Sequence, residues 1–307
     1  MNDAPPPSAS PIAWRCLWPA AAQLGEGALW SPRLQALWWV DILGRSLHLC
    51  EPDGTLRQRW TFDEEVSAVA ECADDGGLLL ALRHGFARFD PFTPGSVPRT
   101  LHRPAGEPAG NRFNDGKCDA QGRFWAGSMD FDAQAPTGAL YRCDTDGRCT
   151  VQDQGFPVCN GPTWSLDGRT LYFNDTVGGR TLAYEVNDAG ELRGRRVWRQ
   201  WDAATEGVPD GMTTDAAGRL WIAHWGGGCV SCHDPASGQE LQRIALPVTQ
   251  VTSCAFGGAD LRTLYITSAA VGLDDAARAA QPLAGALFAA ELDTPGLPAH
   301  RYGASRA

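Results

Sequence analysis

Four oxygen-bearing side chains recur at one phase of the chain. Glu26, Asn114, Asn160 and Asp210 each stand ten or eleven residues before a strand-like run, at Leu37, Phe124, Leu171 and Leu220. Ser67 and Ser253 hold the same phase before Leu78 and Leu264. Glycine follows directly in Glu26-Gly27, Asn160-Gly161 and Asp210-Gly211, whereas Asp115 intervenes between Asn114 and Gly116. Taken singly, each of the four reads equally well as a turn residue. Together, at one phase, they point at a shared axis. Two carboxylates and two amides offer only oxygen, which hard divalent cations prefer. The adjoining glycines relieve crowding where several strands converge. Arg112 reads as a surface residue or as a partner for a substrate hydroxyl or carboxylate. Asp115 reads as a turn cap or as the group that orients Asn114.

The phase comes from a repeat. DAQGRFWAG at 119–127 returns as DAAGRLWIA at 215–223, each downstream of an Asp-Gly pair. Weaker copies are SPRLQALWWVD at 31–41, ADDGGLLLAL at 73–82, SLDGRTLYFND at 165–175 and ADLRTLYITSA at 259–269. A spacing of roughly 40–50 residues, with a tight turn before an apolar-aromatic strand, is the mark of a propeller blade. Turn signals such as Asp146-Gly147 and Asp167-Gly168 separate short β-branched and aromatic runs. The one helical candidate is LDDAARAAQ at 273–281, a surface turn or two. The expected fold is therefore all-β: a six-bladed β-propeller with a metal site at its central channel. The strand GALFAAELD at 285–293 should share a blade with strand material near the N-terminus. Residues 1–13 are expected to be a disordered tail and 14–307 one propeller domain.

Composition narrows the function class. With 307 residues and 43% hydrophobic content, the chain can bury a sizeable core. A net charge of −10 argues against nucleic acid as a partner. The start, MNDAPPPSAS, has neither the basic nor the apolar region of a leader, and no stretch approaches a membrane span. A reduced cytoplasm is the expected location. The ten cysteines are scattered; Cys50, Cys118, Cys143 and Cys254 read as small buried hydrophobes, and the C-x-x-C of Cys229 and Cys232 as ordinary strand residues. His224 reads as structural, and Lys117 as solvent-facing. Most of the twelve tryptophans, among them Trp30, Trp38, Trp39, Trp164 and Trp225, are expected in blade cores. One or two at the channel mouth could stack on a sugar ring. Nucleophile-elbow, H-E-x-x-H and G-x-G-x-x-G patterns are absent.

LGEGALW, NRFNDGK, NGPTWS, VPDGM and FGGADLRTLYITSA resemble, in this order, the motifs of the SMP-30/gluconolactonase/regucalcin-like family. The likeness runs over residues 14–295. GLDDAARAAQPLAGALFA is similar to bacterial xylono- and arabinonolactonases. The resemblance implies a six-bladed propeller with one divalent cation at the channel mouth, held by Glu26, Asn160 and Asp210. Ca²⁺, Zn²⁺, Mn²⁺, Mg²⁺ or Fe²⁺ would suit such a site. The resemblance also implies that Arg112 and Asn114 contact substrate. A further acidic contact maps onto GSMDFD, which offers Asp130 or Asp132; Asp132 is chosen. Ala28 stands where the family usually has proline. The implied activity is hydrolysis of an aldonolactone, first of all a pentonolactone, with Asp210 as the general-base candidate. Two other readings are a related propeller esterase or organophosphate hydrolase, and a non-catalytic calcium-binding propeller.

Overall fold

The structure, a computed structural model, describes residues 12–74 and 76–304. The expected disordered tail falls mostly outside the described residues; Ile12 and Ala13 lead directly into a strand. The described chain forms six four-stranded antiparallel sheets. The innermost strand of each is Gly25–Ser31, Val66–Glu71, Asn111–Cys118, Cys159–Trp164, Val208–Thr214 and Val251–Gly257, for blades 1 to 6. Inner strands of neighbouring blades touch around the ring, which makes the fold the expected six-bladed propeller. Closure is also as expected. Trp14–Trp18 pairs with Leu287–Glu291, so blade 6 is built from both ends of the chain. This pairing ties the ring shut and removes an exposed strand edge. The short helix Asp275–Ala280 is capped by Asp274, which accepts from Ala277 N at 2.8 Å, and buries none of its residues.

The repeated DAxGRxW sequence now has a physical account. Asp119 Oδ1 accepts from the backbone N–H groups of Gln121 and Arg123, while Oδ2 accepts from Arg123 Nε and Trp125 Nε1. Asp215 repeats the network with Ala217, Arg219 and Trp221. One carboxylate thus satisfies a turn, an arginine and a buried indole. Trp125 and Trp221 are fully buried, as are Trp38 and Trp39. These aromatic plates fill the space between blades.

These turns lie at one end of the channel, which we call the base. After the last strand, the chain crosses the base from blades 5 and 6 to blades 2 and 3. Gly296 N donates to Leu261 O and Ala216 N to Pro295 O; further on, Tyr302 N donates to Glu71 O and Tyr302 Oη to Asp144 O. Leu297 to His300 line a basal cavity of about 440 Å³.

Two expectations are corrected. Cys143 is not a lone buried thiol; it forms a disulfide with Cys149, its cross-strand partner in a hairpin of blade 3. Lys117 does not face solvent; its side chain enters the channel, and Nζ donates to Met212 O at 2.6 Å. Cys229 and Cys232 are free and buried in blade 5. Among the described residues, no helix is long and apolar enough to cross a membrane.

Candidate functional site

At the end opposite the base, each inner strand breaks register with its neighbour at the same level. The irregularities fall between Glu26 and Leu29, Val66 and Ala68, Phe113 and Gly116, Asn160 and Thr163, Pro209 and Met212, and Val251 and Ser253. The phase read from the sequence is therefore a ring of β-bulges. A bulge re-aims side chains out of the normal alternation and is common beside active sites. Gly161 adopts φ +67°, a conformation that strains any residue with a Cβ. Gly211 is needed for proximity: a Cβ there would fall 2.9 Å from the backbone Cα of Ser253.

The ring brings Glu26, Arg112, Asn114, Asn160 and Asp210 together, all nearly inaccessible to solvent. A hydrogen-bond chain runs through three of them, Arg112, Asn114 and Asn160. Arg112 Nη1 donates to Asn114 Oδ1 at 2.6 Å, and Asn114 Nδ2 donates to Asn160 Oδ1 at 2.7 Å and Cys159 O at 3.0 Å. Asn160 Nδ2 then donates to Thr176 Oγ1 at 2.9 Å, and Thr176 donates to Pro209 O at 2.8 Å. The amide orientations are thus fixed by the network: each oxygen faces a donor and each nitrogen an acceptor.

Asp115 caps its own turn, one of the two roles the sequence allowed, and also reaches the next blade; it makes no hydrogen bond to Asn114. Its Oδ1 accepts from Gly116 N at 2.7 Å and its Oδ2 from Gly161 N at 3.0 Å. It pins the bulge that carries Asn160, across a blade boundary. Thr176 plays a similar part between blades 4 and 5, and the sequence carried no periodic signal for it. Asp132 lies apart from the buried set, exposed on the loop that follows Phe124–Asp130 at the same end of the channel. The other candidate, Asp130, spends its carboxylate on Gln134 N and Ala135 N.

The electrostatics of this ring are unbalanced. Burial, followed by the Asp115 charge, pushes the Glu26 carboxyl up to about 8, despite help from Gly27 N–H, Arg112 and Lys117. Burial, then Glu26 and Asp115, hold Asp210 well above the ordinary carboxylate range. Burial also lowers Arg112 to about 10, opposed by Glu26, Glu65 and Asp210. Asp210 Oδ1 is buried with no hydrogen-bond partner. An orphaned acceptor and crowded carboxylates are costly alone and become favourable beside a cation. The oxygens of Glu26, Asn160 and Asp210 fit a hard divalent ion by these criteria. Among the described residues, no cluster of three or more His, Cys, Asp or Glu has metal-holding geometry; the set here draws on an amide instead.

Comparison with known proteins shows the family. The profile of the SMP-30/gluconolactonase/LRE-like region matches residues 24–270, a span that contains every buried member of the ring. The chain belongs to the SMP-30/gluconolactonase/LRE-like family. Pentonolactonase XacC of Haloferax volcanii is 36% identical over 286 residues, covering 92% of this chain and 95% of that protein. The 6-deoxy-6-sulfogluconolactonase of Pseudomonas putida is also 36% identical over 286 residues, covering 92% and 96%. Among solved structures, a calcium-binding protein, regucalcin, from Agrobacterium tumefaciens superposes with TM-score 0.88 at 31% identity, covering 95% of this chain and 98% of that one. The residues singled out in the sequence, Glu26, Arg112, Asn114, Asn160 and Asp210, all lie on the bulge ring or beside it. His224 is 0% exposed, and its Nε2 lies 2.6 Å from Ser231 Oγ, in a blade core rather than at the ring.

Proposed function

We propose that this protein hydrolyses a sugar lactone to the aldonic acid, with a pentonolactone as the preferred substrate and a divalent cation as cofactor. The observation that carries the reading is Asp210: a buried carboxylate with an unpartnered oxygen, beside a second carboxylate and a hydrogen-bonded Arg112-Asn114-Asn160 chain. Glu26, Asn160 and Asp210 would hold the cation. When bound, such an ion supplies Lewis-acid polarisation of an ester carbonyl. Ca²⁺, Zn²⁺, Mn²⁺, Mg²⁺ and Fe²⁺ all accept such oxygen donors.

The residues divide the remaining work. Asp210 receives a proton from the water that attacks the lactone carbonyl carbon. The carbon–ring-oxygen bond breaks, and the ring oxygen leaves as a hydroxyl after taking that proton. Arg112 and Asn114 orient sugar hydroxyls; their mutual hydrogen bond fixes both before substrate arrives. Asp132, on the exposed loop at the mouth, supplies the acidic contact to the sugar. The preference for a five-carbon ring rests on the GLDDAARAAQPLAGALFA segment and on the similarity to XacC. Arg112 and Asn114 would be superfluous in a protein that only stored calcium, which favours an enzyme.

The test is a substrate panel. The kcat/KM for the best pentonolactone should exceed that for a long-chain acyl homoserine lactone or an aryl phosphotriester. The reverse ranking would replace this reading with the esterase or organophosphate-hydrolase alternative. Cation binding without turnover of any lactone would leave a calcium-binding propeller.

A further inference from the structure

Lys117 is the only lysine in a chain whose Lys and Arg total 26. It leaves the inner strand of blade 3, three residues after Asn114. Its Nζ reaches Met212 O at 2.6 Å on the inner strand of blade 5, two residues after Asp210. Blade 4 lies between them, so the side chain spans the channel. It does so one level below the bulge ring and above the basal cavity, which it also lines. Its ammonium is hydrogen-bonded to a carbonyl rather than to a carboxylate. Both Asp115 oxygens are occupied by backbone N–H groups. The charge is therefore held in place with no direct ion pair among the described residues, and it acts on Asp115 and Glu26 from beneath.

Charge counting shows what this does. Glu26, Asp115 and Asp210 contribute three negative charges when ionised; Arg112 and Lys117 return two positive ones. With a divalent ion added, the cluster carries one positive charge. Without Lys117 it would be neutral. Given the cation site proposed above, we propose that Lys117 is an electrostatic floor that weakens cation binding and leaves the loaded site net positive. A net positive site favours the negative charge that builds on the lactone oxygen during attack. Lys117 is thus a positioning residue: it touches no substrate and acts through charge.

The size of the effect follows from spacing. Met212 stands two strand positions after Asp210, about 7 Å at most. Even with bulk-water screening, removing a unit charge at about that distance from a divalent ion should tighten its binding roughly tenfold.

The experiment is calorimetric titration of chelator-stripped protein with Mn²⁺. Lys117→Gln keeps an N–H donor for Met212 O but removes the charge. It should bind Mn²⁺ roughly tenfold more tightly than wild type while kcat on a pentonolactone falls. Lys117→Arg, which keeps the charge, should stay within about twofold of wild type in affinity. If Lys117→Gln does not fold, Lys117→Met carries the same expectation. Unchanged or weaker Mn²⁺ binding in a folded neutral variant would overturn the role, because a plain strut would give that result. An Arg variant that matches the Gln variant would also overturn it. Failure of wild type to bind Mn²⁺, Ca²⁺ or Zn²⁺ would instead overturn the cation site itself, and the floor with it.

Discussion

Replacing Glu26 by glutamine should stabilise the cation-free protein, and more so as pH rises. Glu26 shifts from an ordinary 4.5 to about 8 on folding, because burial and Asp115 disfavour its charge. A carboxylate raised on folding binds more protons folded than unfolded. Its contribution is full below the unfolded value and is lost as pH rises towards the folded one. At pH 5 the loss is under about 1 kcal/mol; at pH 7 it reaches about 3 kcal/mol, from 1.36 kcal/mol per pH unit. Glutamine cannot ionise, so the variant escapes this slope. In chelator, the stability difference between variant and wild type should grow by about 2 kcal/mol from pH 5 to pH 7. For a chain this long that is a Tm difference of about 3 °C. Subtracting wild type at each pH cancels groups common to both, such as His224 and His233, which burial holds at about 3 and about 4. A saturating divalent cation should reverse the order, raising wild type above the variant. Scanning calorimetry with chelator and with added Mn²⁺ reads both effects. A pH-independent difference, or a variant less stable than wild type in chelator at pH 7, would refute the reasoning.

The remaining predictions separate the roles within the ring. Asp210→Asn keeps the shape but loses a charge and a proton acceptor; kcat on a lactone should fall by about 10²-fold or more, with weaker cation binding and an intact fold. Arg112→Ala should retain the cation while KM rises, so equal loss of cation in both variants would mean the division of labour is wrong. Gly161→Ala forces a Cβ into a positive φ, 2.6 Å from Met212 Cε, and should weaken cation binding and lower stability by about 1–2 kcal/mol in thermal melts. Tyr302→Ala removes a buried ring at the base and its bond to Asp144 O, so stability should drop by about 3 kcal/mol with cation affinity unchanged.

Much of this was readable in the chain because a propeller is periodic. Six copies of a turn and an apolar strand fix the phase, and the phase leads to Glu26, Asn114, Asn160 and Asp210. The conservation of Asp-x-x-Gly-Arg-x-Trp between Asp119 and Asp215 within the chain comes from identical hydrogen-bond networks, which is why that repeat was the clearest. What was hidden crosses between blades. Lys117 meets Met212 from a blade two places away, and local sequence shows no such reach. Asp115 pins Gly161 in the next blade, where a local cap seemed equally plausible. The Cys143–Cys149 pair was closer to legible. The two residues flank an Asp-Gly turn between two strand runs, and hairpin register alone sets them opposite each other. Asp132 stayed ambiguous because its loop has no periodic equivalent.

The proposed function requires Glu26, Asn160 and Asp210 to share one cation in the channel. The most direct measurement is a crystal structure of the protein soaked in Mn²⁺, with the ion located by anomalous scattering. One ion is expected on the bulge ring, with an oxygen from each of the three side chains at about 2.0–2.6 Å. An ion elsewhere in the channel, or three oxygens that stay more than about 4 Å from any common ion, would contradict it.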